Sequence, residues 1–204
     1  MLGVVGTLMM VPVLGNGLQA TPSVADAGID RIALPFAVTD IEGVERRVFR
    51  DGRVFIAGQP SEAALKRFKE LGVTAVVCLR TPKETDDRAT VPFDEAAAVS
   101  ALGLEYVHIP LGGTDYPYTP AAVERFAQVV AKHRGPVLLH CTVAWRASYL
   151  WTAYLIRYGG LDLDAALVRG RAIAIGRDPL EELLGRPVKL VWSDTPPVPP
   201  QATR

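Results

Sequence analysis

Three short apolar runs, residues 73–79, 105–111 and 137–140, alternate along this chain with stretches of helical periodicity. Runs of this length that are bounded by turn residues read as strands, and the first, rich in valine, reads as a strand buried on both faces. Between them, Ser61 opens a segment in which Leu65, Phe68 and Leu71 share one helical face, and Gly72 supplies the stop. An alanine-rich helix is expected over 93–102. Thr119, with Pro120 in the first helical position, introduces the apolar stripe Val123, Phe126, Val129 and Val130. Helical blocks follow over 147–158 and 163–175, with a short one near 180–184. Upstream, Asp51-Gly52 between the runs 47–50 and 54–57 marks a tight hairpin. This alternation predicts an α/β fold: a mainly parallel central sheet flanked by helices. Ligands of such sheets sit beyond the carboxyl ends of the strands.

The chain of 204 residues suits one domain with a leader and a tail, and 49% hydrophobic content provides a packed core. Lys plus Arg and Asp plus Glu both number 22, which argues against a broad nucleic-acid surface or an anionic-membrane surface. Two cysteines are too few for a disulfide scaffold or a structural zinc site, and with three histidines no metal and no cofactor is expected. Residues 2–14 are almost wholly apolar, shorter than the ~20 that span a bilayer, so no stable membrane span is expected. That run has the length of a signal-peptide core, with Ala20 at the cut, although no Lys or Arg precedes it. Export to the periplasm or beyond is the expectation, with the cytoplasm as alternative. The organisation expected is a leader at 1–20, an extended lead-in at 21–44, a folded domain at 45–192 and a disordered Pro-rich tail at 193–204.

One segment carries chemistry. Cys141 leaves the strand 137–140, a short loop follows, and Arg146 stands at the mouth of a helix. Backbone N–H groups of such a loop converge on an anion, and the planar fork of Arg146 grips two oxygens of a phosphate or sulfate. The same surroundings favour a thiolate over a thiol whose ordinary pKa is ~8.5. Free cysteine is also a common core residue; the strand–loop–helix context sets Cys141 apart.

His140-Cys141 with Arg146 resembles the cysteine-dependent tyrosine and dual-specificity phosphatases. Their usual signature has five residues between cysteine and arginine. The four found here are similar to the bacterial beta-lactamase-hydrolase-like branch, whose loop reads close to His-Cys-x-x-Gly-x-Arg. Gly58-Gln59-Pro60, Val76-Val77-Cys78-Leu79-Arg80, Ile109-Pro110, Tyr158-Gly159-Gly160 and Leu163-Asp164-Ala165-Ala166 agree with that branch, so the resemblance covers residues 45–176. It implies the dual-specificity phosphatase fold and a phosphocysteine formed on Cys141. Arg146 binds phosphate together with His140, Thr142, Val143, Ala144 and Trp145, and Asp115 in the loop 112–117 is the general acid. Asp86 and Asp87 are weaker candidates for that acid.

The implied substrate is a phosphorylated protein, on tyrosine or on serine/threonine, or a small phosphomonoester. Tyr116, Tyr118 and Trp145 would wall its pocket. His140 is expected to orient the loop, and His108 and His133 to be structural or solvated. Cys78 is expected in the core; if its strand neighbours that of Cys141, a protective disulfide is open to it. Two departures stand out: Ala144 replaces the glycine, and Ala147 lacks the hydroxyl many tyrosine phosphatases place after the arginine, with Ser148 one position on. Two alternatives stay open: a rhodanese-like sulfurtransferase with a Cys141 persulfide, and an oxyanion-binding module with weak or no turnover.

Overall fold

The turn signal at Asp51-Gly52 folds the chain back one residue later than the dipeptide suggests. A computed structural model describes residues 27–174 and 179–188; the leader expected at 1–20 and the tail expected at 193–204 lie outside them. β1 (Phe36–Val38), β2 (Val48–Asp51) and β3 (Val54–Ala57) are antiparallel neighbours, so the sheet draws an edge strand from the extended lead-in. Asp51 pairs with Val54, which leaves Gly52-Arg53 as the turn. Gly52 has φ +58°, and a Cβ there would stand 2.5 Å from the Ala27 carbonyl oxygen. Asp51 is therefore a strand residue, 3% exposed, accepting hydrogen bonds from Arg169 Nη1 at 2.6 Å and Trp151 Nε1 at 3.0 Å.

The remaining strands are β4 (Ala75–Cys78), β5 (Glu105–His108) and β6 (Val137–His140). The six-stranded sheet has the order β1-β2-β3-β6-β4-β5, and its last four members run parallel. The fold is thus α/β with a mixed, mostly parallel sheet. Every residue of β3, β4 and β6 is buried, as their apolar runs require.

Helices cover both faces. α1 (Glu62–Glu70), capped by Ser61, whose side chain accepts from Ala64 N, packs Leu65 and Phe68 on one face. α2 (Pro82–Thr85) is a single turn, and α3 (Glu95–Ala101) adds Val99 to the same face. α4 (Pro120–Lys132), α5 (Trp145–Arg157), α6 (Leu163–Ile173) and α7 (Leu180–Leu184) cover the other. Thr119 precedes α4 but caps it with its carbonyl, which accepts from Ala122 N, and not with its side chain. Among the described residues no helix is long and apolar enough to cross a membrane.

Side chains alternate faces along a strand, and this settles the cysteine question. β4 and β6 are indeed neighbours, with Cys78 opposite His140. Cys78 therefore shares the His140 face while Cys141, one residue on, lies in the core of the opposite face. Both thiols are free and the sheet separates them, so Cys78 is the core thiol expected and the disulfide left open for neighbouring strands does not fit this fold.

Removing the Asp51 carboxylate would strand the Arg169 guanidinium, 2% exposed, without its charge partner. Asp51→Ala is expected to cost about 3–5 kcal/mol, read as a lower urea midpoint with unchanged m-value. A loss below ~1 kcal/mol would show that this ion pair contributes little.

Candidate active site

Four parallel strands end at one edge, and the segment leaving each one enters the site. Gly58-Gln59 follows β3, Leu79 to Glu84 follows β4, Ile109 to Tyr118 follows β5, and Cys141 to Arg146 follows β6. Gln59 N donates to the Thr142 carbonyl at 3.0 Å, Leu79 N to the His140 carbonyl at 2.9 Å, and Leu111 N to the Leu79 carbonyl at 3.0 Å. The loop carrying Cys141 is thereby tied on both sides.

Ala144 stands just before α5 with φ +67° and ψ −3°, in the left-handed region where the resemblance expects glycine. The loop keeps its turn at the expense of strain, of the order of 1–2 kcal/mol for a residue with a Cβ. No side chain caps α5, so the N–H groups of its first turn are left to the loop's hollow. Cys141 is 1% exposed at this mouth and interacts electrostatically with Arg146 and Tyr118. Ser148 donates its hydroxyl to the Trp145 carbonyl at 2.8 Å, so it is committed elsewhere and does not serve Cys141. Trp145 is 44% exposed, edge-on to Tyr149.

Arg146 is held by a carboxylate that sequence reasoning passes over. Glu84 Oε1 accepts from Arg146 Nη2 at 2.6 Å, and Glu84 Oε2 from Nη1 at 2.8 Å, filling the end-on fork of the guanidinium. Nη1 also donates to the Leu111 carbonyl at 2.8 Å, and Nη2 to Thr142 Oγ1 at 2.9 Å. What Glu84 leaves unfilled is the side edge: Nε–H together with the Nη2–H lent to the Thr142 hydroxyl. Burial alone would raise the Glu84 pKa. Hydrogen bonds from Arg146 and Thr81 outweigh it and bring the group from 4.5 to about 2. Burial likewise opposes the charge on Arg146, and the Glu84 contacts raise its pKa nonetheless. The available signal was Thr81-x-x-Glu84: Glu84 Oε2 accepts from Thr81 N at 2.8 Å, the spacing of a capping box.

The other expected residues fall as follows. Asp115 is exposed at the tip of the β5–α4 loop, whose base is closed by Gly112 N donating to the Tyr116 carbonyl at 2.7 Å. Gly112 passes Arg146, since a Cβ on it would lie 3.6 Å from Nη1. Tyr118 is half-buried; burial and the nearby Cys141 raise its pKa, with Arg146 opposing. Asp86 and Asp87 end and follow α2, and Asp87 accepts from Ala89 N. His108 meets the Arg80 carbonyl, and His133 lies between Thr74 and Glu105, both structural placements. A cleft of 790 Å³ opens beside the loop, lined by Gln59, Arg80, Phe93, Thr142 and Val143, and not by Tyr116, Tyr118 or Trp145.

His140 does not enter the hollow of the Cys141 loop. It is fully buried on the opposite face, with Nε2 at 3.1 Å from Glu95 Oε1. Burial would lower its pKa, but the Glu95 charge raises it well above 6.5. A polar chain links this back face to the front: Gln59 Nε2 donates to Glu95 at 3.2 Å, Arg80 Nη1 to Gln59 Oε1 at 2.6 Å, and Arg80 Nη2 to the Glu84 carbonyl at 2.9 Å.

Comparison with known proteins agrees with this architecture. A family described as DSP-PTPase phosphatase fused to NAD+ kinase matches residues 36–176. A beta-lactamase hydrolase-like protein of Xylella fastidiosa is 30% identical over 120 residues, 59% of this chain and 27% of that protein. The chain thus spans about a quarter of the curated relatives it matches. Among solved structures, Tk-PTP in its active form has a TM-score of 0.55 and 24% identity, covering 71% of this chain and 98% of that one. The kinase-associated phosphatase has a TM-score of 0.53 and 13% identity, covering 62% and 80%. At these identities the structural likeness is one of fold.

Two outcomes follow. Ala144→Gly relieves the left-handed strain and is expected to raise stability by up to ~1 kcal/mol, less what glycine adds to the unfolded chain's freedom, measured by urea unfolding. Glu84 has a depressed pKa, so its contribution is complete above 4.5 and disappears as pH falls toward about 2. Wild type should therefore lose stability through that window more steeply than Glu84→Gln in parallel unfolding series; equal slopes would remove Glu84 from the account.

Proposed function

The chain belongs to this DSP-PTPase family, and on that premise we propose that it hydrolyses phosphomonoesters through a phosphocysteine on Cys141. The observation that supports the reading is that Cys141, a helix start with no side-chain cap and the Arg146 guanidinium meet at one strand end. An incoming phosphoryl group takes the loop N–H groups and displaces the Thr142 hydroxyl from Nη2, so that two parallel N–H donors meet two oxygens. Glu84 keeps the guanidinium in place throughout, because it occupies the other fork.

The Cys141 thiolate attacks phosphorus, the S–P bond forms, and the bond to the leaving oxygen breaks. Asp115 gives that oxygen its proton, for which the tip of the loop must swing toward the hollow. Water then cleaves the S–P bond, and Asp115 recovers a proton from it. Charge develops on the transferring oxygens, where Arg146 and the helix start stabilise it. No cofactor enters this scheme. Substrates in this reading are phosphorylated proteins, on tyrosine or on serine/threonine, or small phosphomonoesters, with Tyr118 and Trp145 at the rim.

Hydrolysis of p-nitrophenyl phosphate tests the reading. Cys141→Ser should abolish turnover, and Asp115→Asn should lower kcat by about 100-fold or more. Thiosulfate-to-cyanide sulfur transfer without phosphatase activity would replace the reading with a sulfurtransferase. Phosphate binding without either activity would leave a binding module.

A further inference from the structure

Behind the catalytic loop, on the opposite face of the sheet, lies a cluster that the reaction does not use. Cys78 from the end of β4, His140 from the end of β6 and Glu95 from the first turn of α3 each present a donor atom, and these atoms lie within 4.8 Å of one another. All three residues are buried: Cys78 and His140 are 0% exposed and Glu95 5%. Their polar atoms are poorly satisfied for such depth. His140 Nε2 stands 3.1 Å from Glu95 Oε1 without the alignment of a hydrogen bond, and neither His140 Nδ1 nor Glu95 Oε2 has a hydrogen-bond partner among the described residues. Buried groups of this kind are normally paired, so unspent donor capacity at one point calls for an explanation.

We propose that Cys78, Glu95 and His140 form a binding site for a borderline divalent cation of the zinc class. A thiolate, an imidazole and a carboxylate are the donors such a cation selects, whereas magnesium and calcium prefer oxygen alone. Bond lengths of ~2.3 Å to sulfur and ~2.0–2.2 Å to nitrogen and oxygen place tetrahedral ligands about 3.3–3.6 Å apart. The His140–Glu95 separation of 3.1 Å is close to this, and the widest separation within the cluster, no more than 4.8 Å, needs a contraction of about an ångström. Charge balances as well. A thiolate and a carboxylate together neutralise one dication, with the imidazole as a neutral ligand.

Three protein ligands leave a fourth position for water or another small ligand. That count suits a reversible site more than a permanent structural one. His140 immediately precedes Cys141 on the same strand. On the functional reading above, an ion here would hold the base of the nucleophile loop and act as a regulator of turnover from behind.

Cobalt(II) titration of the full chain, under reductant and without oxygen, reads binding independently of any enzyme activity. The expected result is a thiolate-to-cobalt charge-transfer band that saturates at one equivalent and is lost on displacement by zinc. The band should persist in Cys141→Ser, vanish in Cys78→Ser, and need at least ~10-fold more cobalt in Glu95→Gln. Glu95→Gln retains the thiol and decides the matter if Cys78→Ser fails to fold. No band with excess cobalt, a band that follows Cys141 instead of Cys78, or unchanged affinity in Glu95→Gln would overturn the proposal. Phosphatase activity of the metal-free wild type tests the earlier reading separately, so either can fail alone.

Discussion

The Glu84 carboxylate against the Arg146 guanidinium is the contact on which the geometry of the site depends. Arginine has two usable edges, and which one faces the loop is decided by what occupies the other. Glu84 takes the end-on fork, receives further hydrogen bonds from Thr81 and Thr142, and so leaves the side edge as the one open to a ligand. A lysine at position 146 would carry the charge but could not be oriented in this way, because a point charge has no edges.

The contact is possible because of how the sheet is ordered. β6 lies between β3 and β4, so the segments after all three strands meet at one place although they are far apart in sequence. Gln59 and Arg80, from the segments flanking the Cys141 loop, join the Glu95 end of the molecule to the Glu84 end through side chains that are largely shielded from water. Such a chain is rigid only when every link is made, which ties the loop to both faces of the sheet.

Much of this was legible in the sequence. The short continuous apolar runs gave the parallel strands, and Cys141 followed by Arg146 marked the strand end where the loops converge. The glycine requirement at position 144 was also readable, and the structure shows alanine adopting the left-handed conformation anyway. Less legible were features that depend on non-local pairing. Asp51 looked like a turn residue, but its partner Arg169 lies 118 positions away and draws it into a strand. Thr119 has the right type for a cap, yet its carbonyl does the capping. Glu84 sat in a polar stretch where only its spacing from Thr81 distinguished it, and no local rule reports that Arg146 will arrive opposite. His140 and Cys78 were adjacent to known landmarks, but which face each occupied awaited the register of β4 against β6.

The strand order also bears on how the molecule is made. β3, β4 and β5 leave the ribosome before β6, which must then slide between β3 and β4. Until it does, both neighbours hold open edges that could pair with another chain. The last parallel strand to be synthesised is the one that leads into Cys141. A nascent polypeptide therefore cannot bring Cys141 and Arg146 into place ahead of β6, and truncation anywhere before residue 137 removes the keystone strand and both residues together.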